Sequence, residues 1–350
     1  MNEESFGKLA NGQEVSLFTL KNKNGITVKI TNFGGIITQI LTPDKNHKFE
    51  DVVLGFDSLS QYLQPNPYFG AIVGRYGNRI AKGKFKIGSE TYNLVLNNNK
   101  NHLHGGTVGF DKVLWTVEPT KEVNTLVLKY KSRDGEEGYP GNLLVTVKYT
   151  LKETNELTID YQATTDKITP VNLTNHTYFN LSGDCKTDIL NQKVSIMASR
   201  YLPVDKTLIP TGELADVAPT PFNFINPKPV GQDINVPSEQ LKIASGFDHA
   251  FIFDEHPESQ AVADIFDPIS GRIVECVTTE PAVQFYSGNF LDGTITGKKG
   301  VKYAKNYGLC LETQHYPDSP NQPKFPNTFL KPGEIYKSST TYTFLVKGDL

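Results

Sequence analysis

Two stretches of the chain concentrate side chains able to move protons and hold hydroxyl groups. The first runs Asn172-Leu173-Thr174-Asn175-His176-Thr177-Tyr178-Phe179-Asn180-Leu181. Its threonine, tyrosine and phenylalanine favour a strand. Strand alternation then puts Thr174, His176 and Tyr178 on one face, with Asn175, Thr177 and Phe179 on the other. A hydroxyl, an imidazole and a phenol in a row suit a polyhydroxylated ligand better than an apolar core, although a single strand histidine more often serves as a hydrogen-bonded structural residue. The Asn-x-Ser/Thr triplets at Asn172, Asn175 and Asn180 matter as glycosylation acceptors only in a secreted chain. The second stretch is Gly308-Leu309-Cys310-Leu311-Glu312-Thr313-Gln314-His315-Tyr316-Pro317-Asp318. Alternation sets Leu309 and Leu311 on one face and Cys310 and Glu312 on the other. Desolvation at the end of an apolar strand raises a carboxyl pKa, and hydrogen bonds to the ionised form oppose that rise. A carboxylate that stays ionised near neutrality is a usable base.

Four shorter stretches could serve this pair. Gly74-Arg75-Tyr76-Gly77-Asn78-Arg79-Ile80 offers two guanidinium forks, each able to hold two neighbouring oxygens. Its glycine spacing is not a nucleotide fingerprint, because no βαβ unit surrounds it. Asn101-His102-Leu103-His104-Gly105-Gly106 contains His-x-His, a weak metal signal without a third ligand. A histidine exchanging one hydrogen bond with a ligand hydroxyl is the better reading. Gly246-Phe247-Asp248-His249-Ala250-Phe251 sets an acid before an apolar strand, and Pro281–Asn289 sets Gln284 beside Phe285 and Tyr286. Taken alone, these last two are equally a turn aspartate and a core strand end.

The elements that must position these groups are strands. Val15–Leu20, Ile26–Thr31 and Ile36–Leu41 alternate β-branched and polar residues, punctuated by Asn24-Gly25 and Gly34-Gly35. Thr91–Leu96, Thr125–Lys131, Asn142–Leu151, Glu156–Ala163, Ala261–Asp267, Arg272–Thr279 and Thr340–Val346 continue the pattern. Helix signals are few. Ser58 and Gln61 form a Ser-x-x-Gln capping box, but Pro65 and Pro67 keep that helix short. Ile209–Pro237, rich in Pro and Asn, reads as a long irregular excursion. The expected fold is all-β, a large antiparallel β-sandwich with very few short helices, in a single domain over residues 1–350.

Composition narrows the function classes. With 350 residues and a net charge of −3, the chain has no attraction for nucleic acid or an acidic membrane surface. The N-terminal Met1-Asn2-Glu3-Glu4-Ser5 lacks the basic-then-apolar pattern of a signal peptide, and no run approaches the ~18 apolar residues of a membrane span. Three scattered cysteines, Cys185, Cys276 and Cys310, fit reduced thiols in a cytoplasmic protein.

Taken in order, Gly74–Ile80, Leu103–Gly106, Asn172–Leu181, Asp248–Phe251, Val283–Gly293 and Leu311–Asp318 resemble the motifs of the aldose 1-epimerase family. The resemblance runs from about Phe33 to Phe344. It implies a galactose mutarotase-like sandwich with no metal and no organic cofactor, acting on a free aldohexose such as galactose or glucose, and a monomer is expected. Carried over by position, His176 would be the general acid and Glu312 the general base, while Asn78, Arg79, His104, Tyr178, Asp248 and Gln284 would hold the sugar. The pair is expected to support itself, since a carboxylate favours imidazolium and the reverse. Gly77 departs from the alanine common in relatives. A non-catalytic carbohydrate-binding protein would be expected to lack this acid–base pair, a hexose-6-phosphate 1-epimerase would need a cation cluster for the phosphate, and a glycosidase would leave His176 without a task.

Overall fold

The computed structural model describes residues 1–347. Two antiparallel sheets packed face to face dominate. The larger has nine strands, in the order Thr116–Glu118, Thr125–Ser132, Leu143–Leu151, Glu156–Thr165, Tyr336–Val346, Arg272–Thr278, Ala263–Phe266, Lys193–Ile196 and Lys228–Pro229. The smaller has six: Tyr178–Phe179, Leu309–Gln314, Ala282–Tyr286, Asp248–Ile252, Arg200–Tyr201 and Ala215–Asp216. A five-stranded meander, from Asn2–Lys8 to Phe49–Asp51, precedes them.

Period-two patterning explains the layering. In the large sheet, Leu143, Val145, Val147, Tyr149 and Leu151 point inward, as do Leu157, Ile159, Tyr161 and Ala163 on the neighbouring strand. They join Phe179, Leu309, Leu311, Val283, Phe285 and Phe251 of the small sheet in one continuous core. Burying each such side chain contributes roughly 1.5–3 kcal/mol. Because that face of the small sheet is apolar, its other face carries Cys310 and Glu312, with Gln284 paired to Glu312 and Tyr286 to Cys310 across the ladder.

The strands expected from the sequence form close to their expected bounds, with Thr91–Leu96 shortened to the hairpin strand Glu90–Asn93. A strand at Asn2–Lys8 and a helix at Glu239–Ala244 add to them. The helix Leu59–Tyr62 forms where Ser58 predicted it, but the capping box does not. The Ser58 hydroxyl bonds the Gln61 side chain instead of the backbone. The excursion after Ile209 is irregular yet anchored. It sends Phe222 and Phe224 into the core, where Phe222 stacks on Tyr201 at 4.4 Å.

The Asn172–Leu181 segment departs furthest from its expected form. It is two short strands with His176 and Thr177 between them. Thr174–Asn175 pairs with Ile72–Val73, and Tyr178–Phe179 pairs with Leu309–Gln314. The chain steps from one sheet to another here, and its asparagines hold the step. Asn175 Oδ1 accepts from the Thr177 N–H and hydroxyl, while its amide donates to the Gly70 carbonyl. Asn172 donates to the carbonyls of Gly77 and His315 and accepts from the His315 N–H. Asn180 donates to the Thr187 and Tyr307 carbonyls. All three are buried, so none is a glycosylation acceptor in the folded chain.

Candidate active site

The uncovered face of the small sheet, the Tyr178 step and three segments from the N-terminal half line one pocket. Its walls are Asn78, Arg79, His104, His176, Tyr178, Asp248 and Glu312, completed by Pro67, Tyr68, Leu103, Tyr286 and Phe290. Seven of the eight residues singled out in the sequence therefore meet there. Gln284 is outside this lining but shares its sheet face as the cross-strand partner of Glu312, and its Nε2 donates to Asp248 Oδ1 at 2.7 Å.

His176 and Glu312 face each other, with Nε2 3.6 Å from Oε1. The imidazole is nearly parallel to two rings, Tyr178 at 5.0 Å and Tyr68 at 5.7 Å between centroids. Tyr68 comes from a Pro-rich loop, and its only sequence signal was an aromatic residue among prolines. His104 meets His176 edge-on at 5.2 Å.

His104 is placed by the backbone. Its strand His102–Leu103 pairs with Arg79–Ile80, and Gly105 follows because a β-carbon there would lie 1.8 Å from the Gly74 carbonyl oxygen. Asn78 adopts a left-handed backbone, φ 62°, which asparagine tolerates better than most residues. Its N–H donates to His104 Nδ1 at 3.1 Å, its carbonyl accepts from the His104 N–H, and its Oδ1 accepts from the Arg79 N–H. A backbone donor on Nδ1 fixes the His104 ring proton on Nε2. Although His104, His176 and Glu312 bring ligand atoms within 4.8 Å of one another, His104 thus offers the pocket a donor, where a metal would need a lone pair. His102, the other half of the His-x-His pair, is structural. Its ring bonds the Val95 carbonyl and the Tyr139 hydroxyl, both at 2.7 Å.

The two arginines also part. Arg75 is buried, and its guanidinium donates to the carbonyls of Pro140 and Gly141 and to Thr169 and Ser132. Arg79 Nε donates to Asn98 Oδ1, and this guanidinium stands at the pocket wall. Asp318 pins the same strand: its N–H donates to the Arg79 carbonyl and its Oδ1 accepts from the Ala81 N–H. At Gly77 a β-carbon would lie 3.1 Å from Thr174 Cγ2, so alanine would fit after a small adjustment.

Electrostatics correct the expected mutual support of the pair. Burial pushes the His176 imidazolium pKa down to about 3, opposed by its own backbone carbonyl. Burial raises Glu312 well above the usual carboxylate range; the nearby Asp248 adds to the rise and Arg79 opposes it. Asp248 is raised by burial, against Arg79 and Gln284. The aromatic walls desolvate both partners, and that cost exceeds their attraction. These opposite shifts favour imidazole beside carboxylic acid over the ion pair. Glu312 Oε2 is buried with no hydrogen-bond partner.

The aldose 1-epimerase family profile matches residues 16–343. The chain is 49% identical to the galactose mutarotase of Mus musculus over 345 residues, covering 97% of each chain. It is 39% identical to the aldose 1-epimerase of Escherichia coli K12 over 340 residues, covering 96% of this chain and 97% of that one. Among solved structures, a galactose 1-epimerase from Lactobacillus acidophilus superposes with a TM-score of 0.87 at 29% identity, covering 99% of this chain and 98% of that one. An aldose epimerase homologue from C. elegans gives 0.88 at 28% identity, covering 95% and 99%.

Proposed function

Because the chain belongs to the aldose 1-epimerase family and is an isomerase interconverting the α and β anomers of aldoses, we propose that His176 and Glu312 carry out its ring opening and reclosure. Glu312 takes the proton from the anomeric hydroxyl and His176 gives one to the ring oxygen. The bond from the anomeric carbon to the ring oxygen breaks, and its electron pair goes to the ring oxygen. The open aldehyde turns about its C1–C2 bond and closes on the other face with the two roles reversed. Neither step needs a covalent intermediate, so no activated Ser or Cys is required.

The observation that carries this reading is the 3.6 Å approach of His176 Nε2 to Glu312 Oε1 inside a buried pocket. Imidazolium with carboxylate and imidazole with carboxylic acid contain the same single proton. Sugar hydroxyls and the Arg79 guanidinium supply the hydrogen bonds that stabilise the charged arrangement once substrate is bound. Asn78, Arg79, the His104 Nε2–H, Tyr178 and Asp248 hold the sugar, with Gln284 acting through Asp248. A free aldohexose such as galactose fits this set, because Arg79 is the cation at the pocket wall and Arg75 is spent on carbonyls. A phosphorylated hexose lacks its cation cluster. We assign the chain as one catalytic domain, monomeric and cytoplasmic. The three buried, unpaired cysteines support a reducing compartment, and among the described residues no helix is long and apolar enough to cross a membrane.

Polarimetry on freshly dissolved α-D-galactose and α-D-glucose tests the proposal. The protein should accelerate the approach to equilibrium rotation, and the His176→Asn variant should lose that acceleration. Sugar binding with an unchanged spontaneous rate would instead mark a carbohydrate-binding relative.

A further inference from the structure

The mechanism gives no task to Tyr68, although its ring meets both histidines of the pocket. It is nearly parallel to His176 at 5.7 Å between centroids and edge-on to His104 at 4.7 Å. Its backbone is left-handed, φ 64°, a conformation that is costly for a bulky residue and persists only where the surroundings impose it. Here they do. The Ala71 N–H donates to the Tyr68 carbonyl at 3.0 Å, closing a turn. That turn is clamped to the His176 backbone in both directions: the His176 N–H donates to the Ala71 carbonyl, and the His176 carbonyl accepts from the Gly70 N–H, each at 2.9 Å. Phe69 anchors the turn from below, fully buried and edge-on to Tyr178 at 5.0 Å.

We propose that Tyr68 is a positioning residue for His176: its ring, carried on a turn clamped to the histidine, walls the imidazole off from water, so that the imidazole trades its proton with Glu312 and the sugar alone. This rests on the acid–base reading of His176 given above. Of the two rings parallel to the imidazole, Tyr178 is fully buried and Tyr68 half-buried, so Tyr68 is the one whose removal admits water. Burial keeps the Tyr68 phenol protonated, with Asp111 adding to the upward shift and Arg79 opposing it. Tyr68 therefore stays neutral and acts by its bulk.

Few groups face the imidazole. Glu312 Oε1 lies 3.6 Å from Nε2, Cys310 Sγ lies 3.5 Å from Nδ1, and His104 stands edge-on at 5.2 Å. Asp248 and Arg79 are the other charges of the pocket. Burial outweighs the imidazole's own backbone carbonyl and holds the imidazolium down to about 3, so the shelter around the ring governs its protonation. The clamp consists of backbone groups and Tyr68 contributes an aromatic ring, so Nε2 is left to take and give a proton in turn.

The test follows the acid limb of kcat/KM for galactose by polarimetry, beside a ring-nitrogen NMR titration of 15N-histidine-labelled protein in which the His176 signal is assigned by its loss in His176→Asn. Tyr68→Ala should admit water to the imidazole and move both the limb and the titration upward from near 3 by about one pH unit or more. Tyr68→Phe keeps the ring and should leave both in place. Should Tyr68→Ala not fold, Tyr68→Gly, which suits a left-handed backbone, gives the same reading. A His176 titration unmoved by loss of the ring, or moved as far by Tyr68→Phe as by Tyr68→Ala, would overturn the proposal. Kinetics of His176→Asn separate the two failures: full activity in that variant would show the acid–base reading itself to be wrong, whereas an inactive variant beside an unmoved Tyr68→Ala titration would remove only the sheltering role of Tyr68.

Discussion

At the residue scale, one proton is shared by two groups that burial would rather keep neutral. The one-proton state of the pair persists between the loss of the imidazolium proton, at about 3, and the loss of the Glu312 proton, well above the ordinary carboxylate value. The two apparent constants belong to the pair and not to either residue. The pH profile of kcat/KM should therefore be a broad bell, with its acid limb near 3 and no inflection at the ~6.5 of a free histidine. A single inflection at the free-histidine value would show that the imidazole titrates in water. The alternation of Leu309 and Leu311 against Cys310 and Glu312 was legible in the sequence, and the family resemblance pointed to His176 and Glu312, which the structure brings within 3.6 Å of each other. The sequence carried the upward direction of the Glu312 shift, through desolvation, but not the depression of His176, which follows from burial among segments far apart in the chain.

At the element scale, the site depends on how strands from different sheets are tied together. Asn172 links the Gly77 turn to the end of the Glu312 strand through three hydrogen bonds. Asn172→Ala would leave buried backbone groups of Gly77 and His315 without that partner, at a cost of about 1–3 kcal/mol. Its melting temperature should fall, and kcat with it, because Asn78 and Glu312 lose their common anchor; an unchanged melting curve would refute that anchoring. The N-terminal meander is tied on in another way. Glu50 is buried, 3.1 Å from Arg272 of the large sheet and 2.6 Å from Lys48, with Lys186 beside it. Burial alone would raise its pKa, but the three cations together lower it to about 2. A depressed carboxyl pKa stabilises the fold above the unfolded value, near 4.5, and that contribution fades as pH falls towards about 2. Glu50→Ala should cost about 3–5 kcal/mol at neutral pH, since it strands the buried Arg272. Urea unfolding should show a smaller gap from wild type at pH 3 than at pH 7, and an equal gap would contradict the ion-pair account. Most of these strands could be read from period-two patterning. The exception is the Asn172–Leu181 segment, whose composition is that of one strand. The step at His176 and Thr177 arises from pairing with Ile72–Val73 on one side and Leu309–Gln314 on the other, and such long-range pairing leaves no local mark. His102 and His104 likewise look alike in sequence, and only the Val95 carbonyl and the Tyr139 hydroxyl reveal that one of them belongs to the scaffold.

At the scale of the whole molecule, one sheet face is apolar so that its reverse can be polar and still sheltered. The nine-stranded sheet covers the inner face of the six-stranded one, and the loops carrying Tyr68, Asn78 and His104 cover much of the outer face. A free aldohexose, the proposed substrate, is neutral and the net charge is only −3, so kcat/KM for galactose should be insensitive to ionic strength. Glucose 6-phosphate should turn over less well than glucose, because Arg75 is committed to the scaffold; a preference for the phosphorylated sugar would contradict that reading. The most direct test of the central claim is polarimetry on α-D-galactose with Glu312→Gln, His176→Asn and the double variant. Positioned acid–base groups are worth about 10²–10⁴-fold each. If the pair works as one unit passing a shared proton, each single variant should lose nearly all the acceleration and the double variant should be scarcely worse than either. Losses that multiply in the double variant, or a single variant that keeps the wild-type rate, would show that the two residues do not act together and would contradict the account.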